Sequence, residues 1–178
     1  MFKGNQLYDP ESPAHANEQG ISMVVQELGL VDGLTVAENI FLGKTEQFAQ
    51  RGVINLRKMR AAAEEAFAAW GITPVPLDAL ARSLTVEEKK LVELVRALSV
   101  DPDVLILDEI TAAFSHNNRA LLYDLLVKLR DQGKLILFVS HNLPEILELC
   151  DRITVLKDGE KVTTIAAEGA TEDQLKRL

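Results

Sequence analysis

The residues best suited to chemistry end a short apolar run, VLILDE at residues 104–109, where Asp108 and Glu109 set two carboxylates side by side. A buried strand of this kind delivers its acids to the carboxyl edge of a parallel sheet, where ligands of open α/β sheets bind. Side chains alternate along an extended chain, so the two acids should face different directions and do different jobs. One could hold a hydrated Mg²⁺ while the other orients a water. A strand that simply ends in solvated acids would read the same way. A second apolar run, LILFV, is followed by Ser140 and His141, which brings a histidine to the same edge. Two consecutive strands that both end in residues of catalytic type favour a site over a pair of unrelated strand ends. Gln26, which closes the apolar run ISMVV, is a further polar residue in such a position.

The elements that must position these groups are legible in outline. Residues 1–17 are polar with two prolines and read as an edge segment plus a turn; ISMVV then reads as a buried strand. Residues 31–42 form a short mixed segment, and a polar loop separates it from an alanine-rich helix over 55–70 that Gly71 stops. A second helix spans 85–100, with Leu91, Leu94, Val95 and Leu98 at helical spacing and Asp101-Pro102 as its end. Ser83 and Thr85 precede it, and Thr85-x-x-Glu88 matches a capping box. That helix start is either a plain N-cap or a phosphate contact through its free N–H groups. The last third alternates strand 104–107, helix 118–130, strand 135–139 and helix 143–150, then a hairpin turning at Asp158-Gly159. Apolar strands separated by an amphipathic helix imply an α/β domain whose parallel sheet is covered on both faces.

Composition narrows the function classes. The 178 residues suit one domain, and a net charge of -8 disfavours nucleic acid and anionic lipid as partners. Cys150 is the only cysteine, so neither an internal disulfide nor a cysteine zinc site can form, and a reducing compartment, the cytoplasm, is expected. No apolar stretch is long enough to span a membrane or to form the core of a signal peptide, so membrane contact is expected only through a partner.

In this order and spacing the pieces resemble the ATP-binding subunits of ABC transporters, most of all the sugar-importer type with two such domains in one chain. GISMVVQELGLVDGLTVAENIFLGK looks like that family's Q-loop region, LTVEEKKLVELVRALS occupies the place of the signature motif, VLILDE resembles Walker B, ITAAFS the D-loop and FVSH the switch-histidine segment. The resemblance runs over nearly the whole chain. It implies a partial P-loop NTPase fold, mainly parallel, with a helical signature subdomain at 31–100, core strands at 101–178 and a C-terminal β-hairpin. It implies ATP and Mg²⁺ as ligands: Gln26 senses Mg²⁺ and the γ-phosphate, Asp108 supports Mg²⁺, Glu109 polarises the attacking water, and His141 contacts the γ-phosphate. A transmembrane permease and a second ATP-binding domain are the implied partners, at the cytoplasmic face of the inner membrane.

The departures from the family pattern matter as much. No Gly-rich loop ending in Gly-Lys-Ser/Thr precedes Gln26, and Gly43-Lys44-Thr45 has the right tail but Glu38 where that loop needs glycine. In the signature, Leu84, Thr85, Val86, Glu87 and Glu88 stand for Leu-Ser-Gly-Gly-Gln or its sugar-importer variant Leu-Ser-Val-Gly-Gln. A carboxylate at Glu87, where the family has glycine, would obstruct a γ-phosphate sterically and electrostatically. Ile110 and Phe114 replace a customary proline and leucine. The sequence therefore predicts an importer ATPase piece, truncated before the Q-loop and inactive alone. The alternative is a non-catalytic module that docks to a permease or an ATPase partner. Lacking a first strand and its helix, the sheet should expose an edge or an apolar face, and self-association is expected.

Overall fold

The computed structural model describes residues 2–3, 6–7, 9–50 and 52–177. Its centre is a three-stranded parallel sheet in the order β3 (Ile21–Val24), β6 (Val104–Asp108), β7 (Leu135–Val139). The register pairs Val24 with Leu107 and Asp108 with Val139, so the carboxyl ends of all three strands lie at one edge. That edge is where Gln26, Glu109 and His141 follow in sequence.

One face of the sheet is packed and the other is open. Val24, Leu105 and Leu107 are buried in the main core with helices α4 (Val86–Leu98) and α5 (His116–Asp131), and Ile136 and Phe138 of β7 pack against it. The residues between them on the other face are far less covered: Met23 is 49% exposed, Leu135 57% and Leu137 47%. The two-sided burial expected from the apolar runs is therefore wrong for β7. An edge strand covered on one side carries the same apolar residues as a buried one, and composition alone does not separate them. The expected exposed apolar face is present. A groove of about 710 Å³ runs beside it, between helix α1 (Pro13–Glu18) and the end of α4, lined in part by Met23, Ile106, Lys44 and Arg96.

The helical flank is built from α2 (Val36–Ile40), α3 (Leu56–Ala69) and α4. Its specification is local. Thr35 and Glu38 form a full capping box at α2, as Thr85 and Glu88 do at α4, and the Asn55 side chain caps α3. Asn39, fully buried, accepts from Val31 N–H and donates to the carbonyls of Val31, Leu34 and Thr35, which fixes the turn that enters α2. Met59, Ala63 and Phe67 recur every four residues on the buried side of α3.

Several expectations need correction. The turn expected before Asn17 contains helix α1, which Ser12 caps and Pro13 opens. The two-residue strands β1 (Phe2–Lys3) and β2 (Gln6–Leu7) pair before it. The mixed segment 31–42 contains α2, and the polar loop after it folds a small ladder, β4 (Ala49–Gln50) with β5 (Val53–Ile54). The helix expected from residue 118 begins at His116. Helix α6 (Leu143–Leu149) and the hairpin β8 (Arg152–Lys157), β9 (Glu160–Ala166) are as expected, with Asp158 and Gly159 both at positive φ. A short final helix, α7 (Glu172–Lys176), joins Ile153 and Leu175 in a small second core.

Candidate functional site

Glu109 is the centre of the site. It follows β6 in a left-handed conformation, φ 49°, rare for a residue with a Cβ, and opens a tight 3₁₀ turn over Ile110–Ala113. Strained backbone of this kind persists where its surroundings hold it, and here they do. The Glu109 N–H donates to the Val139 carbonyl, extending the β6–β7 ladder by one bond, and Ile110 is fully buried beneath. The chain thus leaves the strand with the carboxylate turned toward its neighbours.

Those neighbours are two of the residues that sequence reasoning named. Gln26 Nε2 donates to Glu109 Oε2 at 3.0 Å, and His141 Nδ1 lies 2.9 Å from Glu109 Oε1. With Glu109 ionised, Nδ1–H is the donor, which leaves Nε2 of a ring that is 77% exposed free to meet a ligand. A carboxylate offers about four acceptor positions, so Glu109 can still take a water while holding both partners. Asp108 stays on β6 opposite Val139, half-buried, outside these hydrogen bonds. The structure therefore brings Gln26, Glu109 and His141 into one cluster and leaves Asp108 beside it.

Beneath them lies a cleft of about 80 Å³ lined by Glu109, Thr111, Ser140, His141 and Glu145, among others. It has room for waters or a phosphoryl group but not for a nucleotide. Glu145, on α6, is a buried acid that sequence reasoning missed. It accepts from Thr111 Oγ1 at 2.8 Å and Ser140 Oγ at 3.4 Å, with Arg119 3.9 Å away. It joins the turn after Glu109 to the turn before His141. Burial, a hydrogen bond to Glu145 and the charges of Glu145 and Glu148 push the Tyr123 phenol up to about 12. The sequence cue was the spacing of an acid four residues after a candidate histidine, which is too common to notice by itself.

The signature residues have structural duties in this chain. Glu88 closes the capping box with Thr85, while Leu84 leads into it and Val86 opens α4. Glu87 accepts from Ser115 N–H and from Asn118 Nδ2, both at 2.7 Å, so its carboxylate sits on the amino terminus of α5. The Ser115 hydroxyl, then the Ser115 N–H, then Asn118 hold the Glu87 carboxyl below its ordinary value. Ile110 and Phe114 are core residues. Gly43-Lys44-Thr45 follows α2 and leads into a 3₁₀ turn with no strand before it, as its dismissal as a phosphate loop requires.

The donor set suits a hard cation. Asp108 supplies a carboxylate and Gln26 a carboxamide oxygen, and Mg²⁺ takes one or two such oxygens together with waters and phosphate oxygens. Among the described residues no three His, Cys, Asp or Glu side chains group closely enough to hold a metal ion, so a cation here would depend on a ligand's oxygens. Among the same residues no helix is long and apolar enough to cross a membrane.

Known proteins resemble this chain over most of its length. The family described as ABC transporter matches residues 1–112. The ribose import ATP-binding protein RbsA of Rhodococcus jostii is 40% identical over 177 residues, covering 99% of this chain and 35% of that protein. RbsA of Bacillus subtilis is 35% identical over 178 residues, 99% of this chain and 36% of that protein. The chain thus spans about a third of the length of these curated relatives. Among solved structures, the dimeric post-hydrolysis state of the ATP-binding cassette MJ0796, bound to ADP and Pi, superposes with a TM-score of 0.74 at 25% identity, covering 91% of this chain and 70% of that one.

Proposed function

Because the chain belongs to the ABC transporter family, we propose that it is part of the ATP-binding component of a sugar importer, with ribose as the leading candidate solute. The observation that carries the reading is the meeting of Gln26, Glu109 and His141 at one sheet edge from three separate strand ends. In this reading Glu109 accepts a hydrogen bond from the attacking water and aims its oxygen at the γ-phosphorus, and the bond from that phosphorus to the bridging oxygen breaks to release ADP. Gln26 holds one carboxylate oxygen of Glu109 and His141 Nδ1–H holds the other; with both ring nitrogens protonated, His141 Nε2–H would donate to a γ-phosphate oxygen. Mg²⁺, held by Asp108 and Gln26, would neutralise charge on the phosphates.

Residues 1–178 contain no Gly-x-x-x-x-Gly-Lys-Ser/Thr, and we propose that by themselves they do not turn over ATP. The proposed partners are a permease, through which the chain would sit at the cytoplasmic face of the membrane, and a second ATP-binding domain. The similarity to RbsA proteins and to a dimeric cassette supports both. The open face of β7 supports self-association, to be tested by sedimentation; a strictly monomeric species would remove that part.

The test is a fusion that places a strand, a Gly-x-x-x-x-Gly-Lys-Ser/Thr loop and a helix ahead of residue 1. The chain alone should show neither micromolar Mg-ATP binding nor hydrolysis, and the fusion should show both. Glu109→Gln in the fusion should lower turnover by about 100-fold or more. Turnover by the chain alone would sink the proposed inactivity, and a fully active Glu109→Gln fusion would sink the site. A second reading, a non-catalytic docking module, is favoured by Glu87, whose carboxylate already satisfies the α5 terminus from within the chain. A fusion that binds a permease but never hydrolyses ATP would decide for it.

A further inference from the structure

Helix α4 carries an ion pair that is nearly inaccessible, with Lys90 3% and Glu93 2% exposed. An ammonium in such a place must satisfy three donors, and the acceptors are specific. Lys90 Nζ donates to Glu93 Oε2 at 2.8 Å, to the Val25 carbonyl at 2.6 Å and to the Glu27 carbonyl at 3.1 Å. Those two carbonyls flank Gln26. The other oxygen of Glu93 accepts from the Gly29 N–H, and Arg96 Nη1, one turn further along α4, donates to the Gly29 carbonyl at 3.0 Å. Every bond the pair makes beyond itself goes to backbone between residues 25 and 29.

A buried ion pair is weak evidence for stability, since well-packed apolar residues often replace one at no loss, and its better-attested use is to fix register. The register fixed here is that of Gln26. Its side chain has to reach Glu109 from a segment that has left β3 and belongs to no helix or strand. A carbonyl clamp on both sides of one residue restricts its backbone while leaving its own side chain free to point elsewhere. Because the clamp is mounted on α4, one turn beyond Glu87 and Glu88, it ties the signature turn to Gln26 through a rigid element.

We propose that Lys90, held by Glu93, is the positioning residue that sets Gln26 against Glu109. What Gln26 then does for a nucleotide rests on the function proposed above. The clamp itself is tested without nucleotide, so the two can fail separately.

The experiment is nitrogen-15 NMR of the full 178-residue chain, wild type against the double variant Lys90→Met with Glu93→Gln. Methionine copies the lysine stem without the charge, and glutamine keeps an acceptor for the Gly29 N–H. The Gln26 side-chain carboxamide signals should move to those of a free glutamine. The amides of residues 25–29 should exchange about tenfold faster, while those of β6 hold their positions. A folded variant whose Gln26 carboxamide signals stay in place overturns the proposal. If the variant does not fold, native-state hydrogen exchange of the wild type decides. Residues 26–29 should open in the same step as α4, and their opening at lower denaturant, ahead of α4, overturns the clamp.

Discussion

Strands β6 and β7 are nearly interchangeable as sequence, VLIL against LILFV, yet the surroundings of the two differ. Leu105 and Leu107 of β6 are sealed beneath α4 and α5, whereas Leu135, Leu137 and Val139 of β7 present an apolar face to solvent. The difference extends to their flanks. On the α4 side, buried polar groups are matched donor to acceptor, as Asn39 and Lys90 show with three donated or accepted bonds or more each. On the β7 side the buried polar chemistry is concentrated in Glu145. The cluster of Gln26, Glu109 and His141 lies where these regions meet, with Gln26 held from the covered side and His141 from the open one. A covered flank supplies fixed geometry; an open one leaves the histidine accessible.

The largest expected effect tests the contrast at its root. Leu107→Ala removes a fully buried side chain and should cost about 3 kcal/mol in urea unfolding. Leu137→Ala removes one that is 47% exposed and should cost less than about 1 kcal/mol. Equal losses would mean that β7 is covered in solution, by a second copy if the protein sediments as a dimer, and the contrast would then describe only the isolated chain.

How far this could be read from sequence follows the same division. Elements with a local signal were legible: the Thr85-x-x-Glu88 box, the alanine-rich helix stopped by Gly71, the Asp158-Gly159 turn and the apolar runs of the sheet. The box Thr35-x-x-Glu38 carries the same signal in the sequence, and the helix it opens is only five residues long. Glu109 and His141 could be placed at one edge because consecutive strands of a parallel sheet point the same way, and Gln26 joined them through the resemblance to a Q-loop. Long-range polar pairing was not legible. Nothing in KKLVELVRAL says that Lys90 and Glu93 turn inward, since a helix of charged and apolar residues ordinarily shows its charges to water. The side on which β7 lies open was hidden for a like reason: exposure depends on what packs against the strand.

Glu87 gives a smaller and pH-dependent effect. It caps α5 from α4 within the covered flank, so Glu87→Ala should cost about 1 kcal/mol at neutral pH, a cap-sized loss. The folded state holds its carboxyl below the ordinary 4.5, first through the Ser115 hydroxyl, so folding favours the ionised form. The contribution is therefore complete above the unfolded value and is lost as pH falls below 4.5 and through the lowered folded value. Urea unfolding of both proteins across that range should show the gap closing toward acid pH and shrinking with added salt, since the carboxylate lies near the surface. A gap unchanged at acid pH would mean that Glu87 contributes through packing and not through its charge.

The smallest effect asks whether the interior under the open flank is as dry as the covered one. The Tyr123 phenol on α5 is pushed up to about 12, first by burial and then by its hydrogen bond to Glu145 and by the charges of Glu145 and Glu148, against the opposing charge of Arg119. Glu145→Gln removes one of those charges and leaves the burial, so the phenol should ionise at lower pH than in the wild type but still above its ordinary 10. Ultraviolet titration in a Tyr8→Phe background isolates the one remaining tyrosine. A phenol favoured in its neutral form stabilises the fold below pH 10, and that contribution disappears as pH rises toward 12. A value falling all the way to 10 in Glu145→Gln would show that Glu145 and not burial sets the shift, and that water reaches the base of the cleft. A value well above 10 would mean that the β7 flank seals its interior while its outer face stays open, which confines the difference between the flanks to the surface of one strand.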